Sequence, residues 1–69
     1  MTQKELLYVE EAVGHETNII KILQETIKNI QDEKLISFLE KKLETHVSMK
    51  EKLISKLEGI SNVWSIING

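Results

Sequence analysis

Two residues of this chain could do chemistry from within an apolar surface, a carboxylate at Glu16 and an imidazole at His46. Each lies near the middle of a row of mostly apolar residues spaced alternately three and four apart, which is the spacing of one helix face. Carboxylates and imidazoles on facing helices of a bundle are the ligand set used for iron, manganese or zinc. The two rows therefore predict a polar layer inside an apolar core, and with it a candidate metal site.

The two rows, called seams below, define the faces that position this layer. The first seam is Leu6, Val9, Val13, Glu16, Ile20, Leu23, Ile27 and Ile30. The second seam is Ile36, Leu39, Leu43, His46, Lys50, Leu53, Leu57 and Ile60. If the chain folds back between Gln31 and Asp32, the seams face each other and Glu16 lies level with His46. An isolated buried carboxylate is very costly, so this Glu16 must be paired, protonated or bound to a cation.

Several alternatives to a metal remain open at this layer. A Glu16–His46 hydrogen-bonded pair could fix helix register without any metal, or Glu16 could reach solvent at a dimer seam. Lys50 could turn inward and neutralise Glu16, or extend its charge to solvent. His15 falls beside the seam and is the weaker option as a ligand. The glutamates that border the layer are candidates only for a supporting role: Glu10, Glu11 and Glu44.

Capping signals predict where the two helices begin and end. Thr2 and Glu5 match a capping box, so helix 1 begins near Gln3 and follows its seam to Ile30. Asp32 is the predicted N-cap of helix 2, which is expected over residues 33–58 with Gly59 as a left-handed C-terminal cap. A connection of two or three residues predicts an antiparallel hairpin over residues 1–60, followed by a short apolar tail at 61–69.

Two positions have two interpretations each. Gly14 costs about 1 kcal/mol relative to alanine inside a helix, so it either permits close approach of another helix or is a tolerated surface glycine. The tail holds the single tryptophan, Trp64. It is expected to fold back over the bundle end, with docking to another protein as the alternative.

The width of the apolar stripes predicts self-association. Residues beside the seams widen both stripes beyond a two-stranded coil: Ala12, Ile19, Leu35, Val47, Met49 and Ile54. Two helices cannot bury both stripes, and a chain of 69 residues is marginal alone. We expect an all-α fold in which two hairpins form a four-helix bundle as a homodimer.

Composition limits the remaining classes. There is no cysteine and no proline, and the net charge of −2 comes from interspersed acids and bases, so a nucleic-acid partner is not expected. No apolar run approaches the roughly 20 residues of a membrane span, and the first residues lack the apolar core of a signal peptide. The expected location is cytoplasmic, with no membrane partner.

The stretch from Val9 to Ile20, the turn from Gln31 to Lys34 and the stretch from Leu39 to His46 resemble ferritin-like proteins. The similarity is to the rubrerythrin-like branch and to ferritin-like spore-coat proteins, and it covers roughly residues 5–58. It implies a four-helix bundle, and for metal-binding members a di-metal site built from Glu and Glu-x-x-His. Glu16 and His46 match that pattern, but Leu43 stands where the motif has glutamate.

These observations order the functional hypotheses. A structural or assembly role as a ferritin-like homodimer is favoured, with a spore-coat location if the resemblance holds. A metal-binding protein using Glu16 and His46 of both subunits comes second. A redox enzyme is third, because the substitution at Leu43 removes part of a di-iron site; enzymatic activity is therefore not favoured. An adaptor that docks through the tail around Trp64 is the fourth.

Overall fold

The computed structural model describes the backbone of residues 2–68 and the side chains of residues 2–58. Two helices, α1 (Gln3–Asn29) and α2 (Glu33–Asn68), make up this part of the chain, with no strand in it. They pack side by side as an antiparallel hairpin measuring 52 × 18 × 14 Å. The predicted all-helical hairpin is confirmed. Within the described helices, no stretch is long and apolar enough to cross a bilayer.

The N-terminus of α1 is closed by the predicted capping box. The Glu5 backbone N–H donates to the Thr2 hydroxyl at 3.1 Å, and the Thr2 backbone N–H donates to the Glu5 carboxylate at 3.2 Å. Each bond satisfies a donor that the first helical turn would leave without a partner. Helix α1 therefore begins at Gln3, the predicted residue.

The two helices are joined by three residues, Ile30 to Asp32. Ile30 takes an extended conformation (φ −115°, ψ 155°) and ends α1. The Asp32 carboxylate then accepts hydrogen bonds from the backbone N–H groups of Lys34, at 3.0 Å, and Leu35, at 3.1 Å. This is N-cap geometry, so the predicted cap and the short connection are both confirmed.

Helix α2 is longer than predicted, because it passes through Gly59 and ends at Asn68. The predicted end at residue 58 and the predicted left-handed cap at Gly59 are therefore wrong. The physical reason is visible in the spacing: Ile60, Trp64 and Ile67 continue the three-and-four pattern beyond Leu57, and no proline follows to stop the helix. The side chains from residue 59 onward, and with them the predicted contacts of the tail, lie outside the described residues.

The predicted seams form the contact between α1 and α2. Every seam residue from Leu6 to Ile30 and from Ile36 to Leu57 is buried or half-buried, whereas the outer faces of both helices are exposed. None of the described apolar side chains is fully buried, however. Two facing stripes shield each other on one side only, so the described hairpin has a seam but no closed core.

The residues predicted to widen the seams divide into two groups. Ala12, Ile19, Val47 and Ile54 are half-buried, whereas Leu35 and Met49 remain exposed. At Gly14, an added Cβ would meet no atom within 4 Å. Within the hairpin Gly14 is therefore an open surface position, as in the second of its two interpretations.

Candidate functional site

The polar layer predicted from the seams is present at mid-height in the hairpin. The Nδ1 atom of His46 lies 2.5 Å from Oε2 of Glu16, a short hydrogen bond across the two helices. Glu16 is 7 % exposed, and it is the one buried residue among those whose side chains are described. The seam spacing places both residues on facing surfaces, and the three-residue connection sets the register that brings them level.

This geometry explains how a carboxylate can occupy a mainly apolar seam. Burying an unpaired carboxylate costs several kcal/mol, whereas a carboxylate that accepts a hydrogen bond from an imidazole loses much less. An ionised carboxylate can only accept, so toward ionised Glu16 the His46 ring acts as the donor through Nδ1–H. Within residues 2–58, no buried side-chain nitrogen or oxygen lacks a hydrogen-bond partner. The layer is therefore satisfied by its own two members.

The other predicted neighbours lie outside this pair. Lys50 is half-buried one turn beyond His46, and His15 is exposed on the flank of α1. Among the described side chains, the basic group within salt-bridge distance of Glu16 is His46, so Lys50 does not neutralise Glu16 within the hairpin. The three bordering glutamates all face solvent: Glu10, Glu11 and Glu44.

A metal site cannot be completed by one described chain. Among residues 2–58, no three histidine, aspartate or glutamate side chains converge closely enough to hold an ion. Leu43 occupies the position at which the resemblance implies a glutamate, and it lies half-buried in the seam. The residues of one hairpin do not fit the di-metal centre of ferritin-like enzymes, because at most one carboxylate and one imidazole per chain reach the layer.

Four exposed side chains lie outside both seams and outside the residues predicted to widen them. Leu7, Tyr8, Ile22 and Phe38 are large, apolar and more than half exposed. The ammonium group of Lys4 lies 5.9 Å from the ring centroid of Tyr8, and that of Lys42 lies 5.5 Å from the ring centroid of Phe38. A signal was available in the spacing, because Tyr8 and Ile22 are fourteen residues apart and so share one helix face.

Comparisons of the chain with protein-family models, with curated proteins and with solved structures found no match.

Proposed function

We propose that this chain is a structural assembly unit, a helical hairpin that a second copy completes into a four-helix bundle, and that the hairpin itself performs no catalysis. The observation that supports this most is the burial pattern of residues 2–58. No apolar side chain there is buried, and the one buried residue is the Glu16 carboxylate. A protein interior normally has the reverse composition, with apolar groups inside and charged groups outside.

The burial pattern supports self-association through the energetics of small domains. A 69-residue chain has a limited core, and without cysteine it has no disulfide to compensate for it. Half-exposed leucine and isoleucine side chains gain about 25 cal/mol for each Å² of apolar surface that a second hairpin removes from water. A second copy supplies stripes of matching width, so a homodimer is the economical source of that cover.

In this proposal the Glu16–His46 pair has a structural role. Sliding one helix by a turn in one direction would place the Glu16 carboxylate against Leu43 and leave it unpaired, whereas a slide in the other direction would bring Lys50 opposite it. The pair thus disfavours the register that faces Leu43, as single polar residues do in coiled bundles. The ferritin-like resemblance adds a spore-coat location to the proposal, and that part rests on the resemblance alone.

The direct test is the mass of the native particle. Sedimentation equilibrium or light scattering should give twice the chain mass of 8.0 kDa, with helix content and mass falling together on dilution. A particle of 8.0 kDa that stays helical and unfolds cooperatively at all concentrations would contradict the proposal.

A metal-binding role is the second candidate, and the orientation of His46 favours it. The ring uses Nδ1 for Glu16, which is how a carboxylate orients a histidine whose Nε2 binds a metal. A homodimer would bring two such rings to the bundle core, where iron, manganese or zinc are the ions suited to imidazole. In this arrangement His46 is the ligand and Glu16 positions it.

Elemental analysis of protein purified without chelator tests the metal candidate. One ion per dimer that disappears in His46→Ala and persists in His15→Ala would support it. His15→Ala is the matched control because it removes the same ring from an exposed position. Metal retained at full stoichiometry in His46→Ala would show that this ligand set is wrong.

A further inference from the structure

The two broad faces of the hairpin differ in chemistry. The Glu16–His46 contact sets the register of the two helices. A residue on α1 and a residue on α2 therefore lie level when their residue numbers sum to about 62. In an antiparallel helix pair, positions just beside the seam fall on one broad face or the other. A shallow groove confirms which residues share a face, since Gln24, Lys28 and Glu40 line it together.

The face opposite that groove, called the apolar face below, carries large apolar side chains from both helices. Its main members are Tyr8, Ile19, Ile22, Leu35, Phe38 and Met49. All but the half-buried Ile19 are between 43 and 63 % exposed. Five side chains of this size leave on the order of 500 Å² of mainly apolar surface in contact with water.

The face that holds the groove, called the charged face below, is different in composition. Its exposed positions are mainly acids and lysines: Glu10, Lys21, Lys28, Glu40, Glu44 and Glu51. Leu7, at the far end of α1, is a large exposed apolar residue on this side. The hairpin is therefore amphipathic across its thickness, with one face suited to burial and the other to solvent.

We infer that the apolar face is covered by a second copy of this chain, arranged so that α1 of each protomer packs along α2 of the other. This inference rests on the proposed function and adds to it the face and the polarity of the dimer. A two-fold axis parallel to the helices produces this arrangement and places the two three-residue connections at the same end. The alternative axis, across the helices, pairs α1 with α1 and places the connections at opposite ends.

The charges that border the apolar face favour pairing of unlike helices. On α2 the charged residues on this face or beside it are all lysines in the described part of the chain: Lys34, Lys41, Lys42, Lys52 and Lys56. On α1 it carries Glu5, Glu11 and Glu25 with a single lysine, Lys4. Packing α2 against α2 would set two lysine rows side by side, whereas α1 against α2 sets acids beside lysines. Like charges across an interface disfavour a pairing, and complementary charges set partner orientation.

The size of the face also fits a second hairpin. A stable interface buries about 800 Å² on each partner. The five exposed side chains supply more than half of that, and the half-buried residues at the seam edge, such as Ala12 and Ile19, add to it. In the same-end arrangement the two Glu16–His46 pairs also lie at one height, so both polar layers coincide in the core of the bundle.

Matched substitutions on the two faces test which face is covered. Ile22→Glu places a charge on the apolar face, and Leu7→Glu makes the same type of change at a similarly exposed position on the charged face. Ile22→Glu should raise the dimer dissociation constant at least tenfold in sedimentation equilibrium, and Leu7→Glu should change it less than threefold. Ile22→Glu unfolding while Leu7→Glu remains a folded dimer would support the same assignment. A dimer weakened by Leu7→Glu and not by Ile22→Glu would overturn it.

Distances between spin labels test the polarity. The chain has no cysteine, so Gln31→Cys carries one nitroxide per protomer at the exposed connection. Double electron–electron resonance should give a distance below about 25 Å between the two nitroxides, because adjacent helix axes are about 10 Å apart. A separation above about 40 Å, the length of α1, would overturn the same-end arrangement while the dimer itself stands. A wild-type particle of 8.0 kDa would instead contradict the proposed function and this inference together.

Discussion

The middle of the hairpin and the layers above and below it differ in a way that most protein interiors do not. At mid-height the Glu16 carboxylate is buried and hydrogen-bonded to His46. In the flanking layers, leucine and isoleucine side chains face each other but stay half exposed. The polar layer is complete within one chain, whereas the apolar layers lack cover on one side. Within one hairpin the Glu16–His46 contact therefore relates the two helices, whereas the apolar layers stay open to the cover that the proposed second copy would provide.

The largest expected effect comes from truncating an apolar layer. If a second copy covers the seam, Leu39→Ala should lower the free energy of unfolding by about 2 to 5 kcal/mol, as at buried core positions. The exposed position in Leu7→Ala should change it by less than about 0.5 kcal/mol. Urea denaturation at two protein concentrations measures both and shows whether the midpoint rises with concentration. Equal effects of the two substitutions would mean that the seam stays half exposed.

The polar layer should respond differently to single and double substitutions. His46→Leu leaves the Glu16 carboxylate buried without a donor and should destabilise the protein by about 3 kcal/mol. Adding Glu16→Leu removes the unpaired charge and should restore most of that loss. A double-mutant cycle by chemical denaturation gives the coupling. If the second substitution adds a further loss, the pair contributes stability beyond its role in register.

A substitution at Gly14 tests whether the charged face is covered at the height of the polar layer. Gly14→Ala should stabilise α1 by about 1 kcal/mol, because a methyl group there meets open space. For a domain of this size the melting temperature should rise by about 4 to 8 °C. Ser48→Ala, on the outer edge of α2, is the control and should give about half that gain. A lower melting temperature for Gly14→Ala would indicate that another helix packs on the charged face.

The smallest expected effect lies at the N-terminal end of α1, far from either kind of layer. Hydrogen bonds with the Thr2 side chain and the Thr2 backbone lower the pKa of Glu5. The stabilisation is therefore present above the ordinary value of 4.5 and is lost as the pH falls through the lowered value. Amide exchange in the first turn should accelerate over that range relative to Glu5→Gln, whose side chain has no carboxyl group to titrate. The absence of any pH dependence would show that this carboxylate does not stabilise the turn.

The sequence predicted the local features well because each depends on a few neighbouring residues. Thr2 with Glu5, and Asp32 before Lys34, are side-chain caps whose geometry follows from spacing alone. The level pairing of Glu16 with His46 followed from two seams and a short connection. Each of these predictions needed only helix periodicity and the position of the turn.

The errors came from competition between signals. Gly59 carries a cap signal, but Ile60 and Trp64 continue the helical spacing, and the apolar pattern outweighs the glycine. Whether Gly14 faces a neighbour depends on packing, which periodicity does not report. Tyr8 and Phe38 were missed because they lie one position beyond the widened stripes, and their significance depends on which broad face each occupies.

The three-residue connection between α1 and α2 has a consequence for how the protein forms. Closing so short a loop takes well under a microsecond, and helix growth from it pairs residues that are near neighbours in the chain. Without proline there is no slow isomerisation to wait for. In the proposed dimer, each chain should therefore form and lose its marginal hairpin many times before it meets another, so the rate of bimolecular encounter, set by cellular concentration, determines how quickly finished particles accumulate.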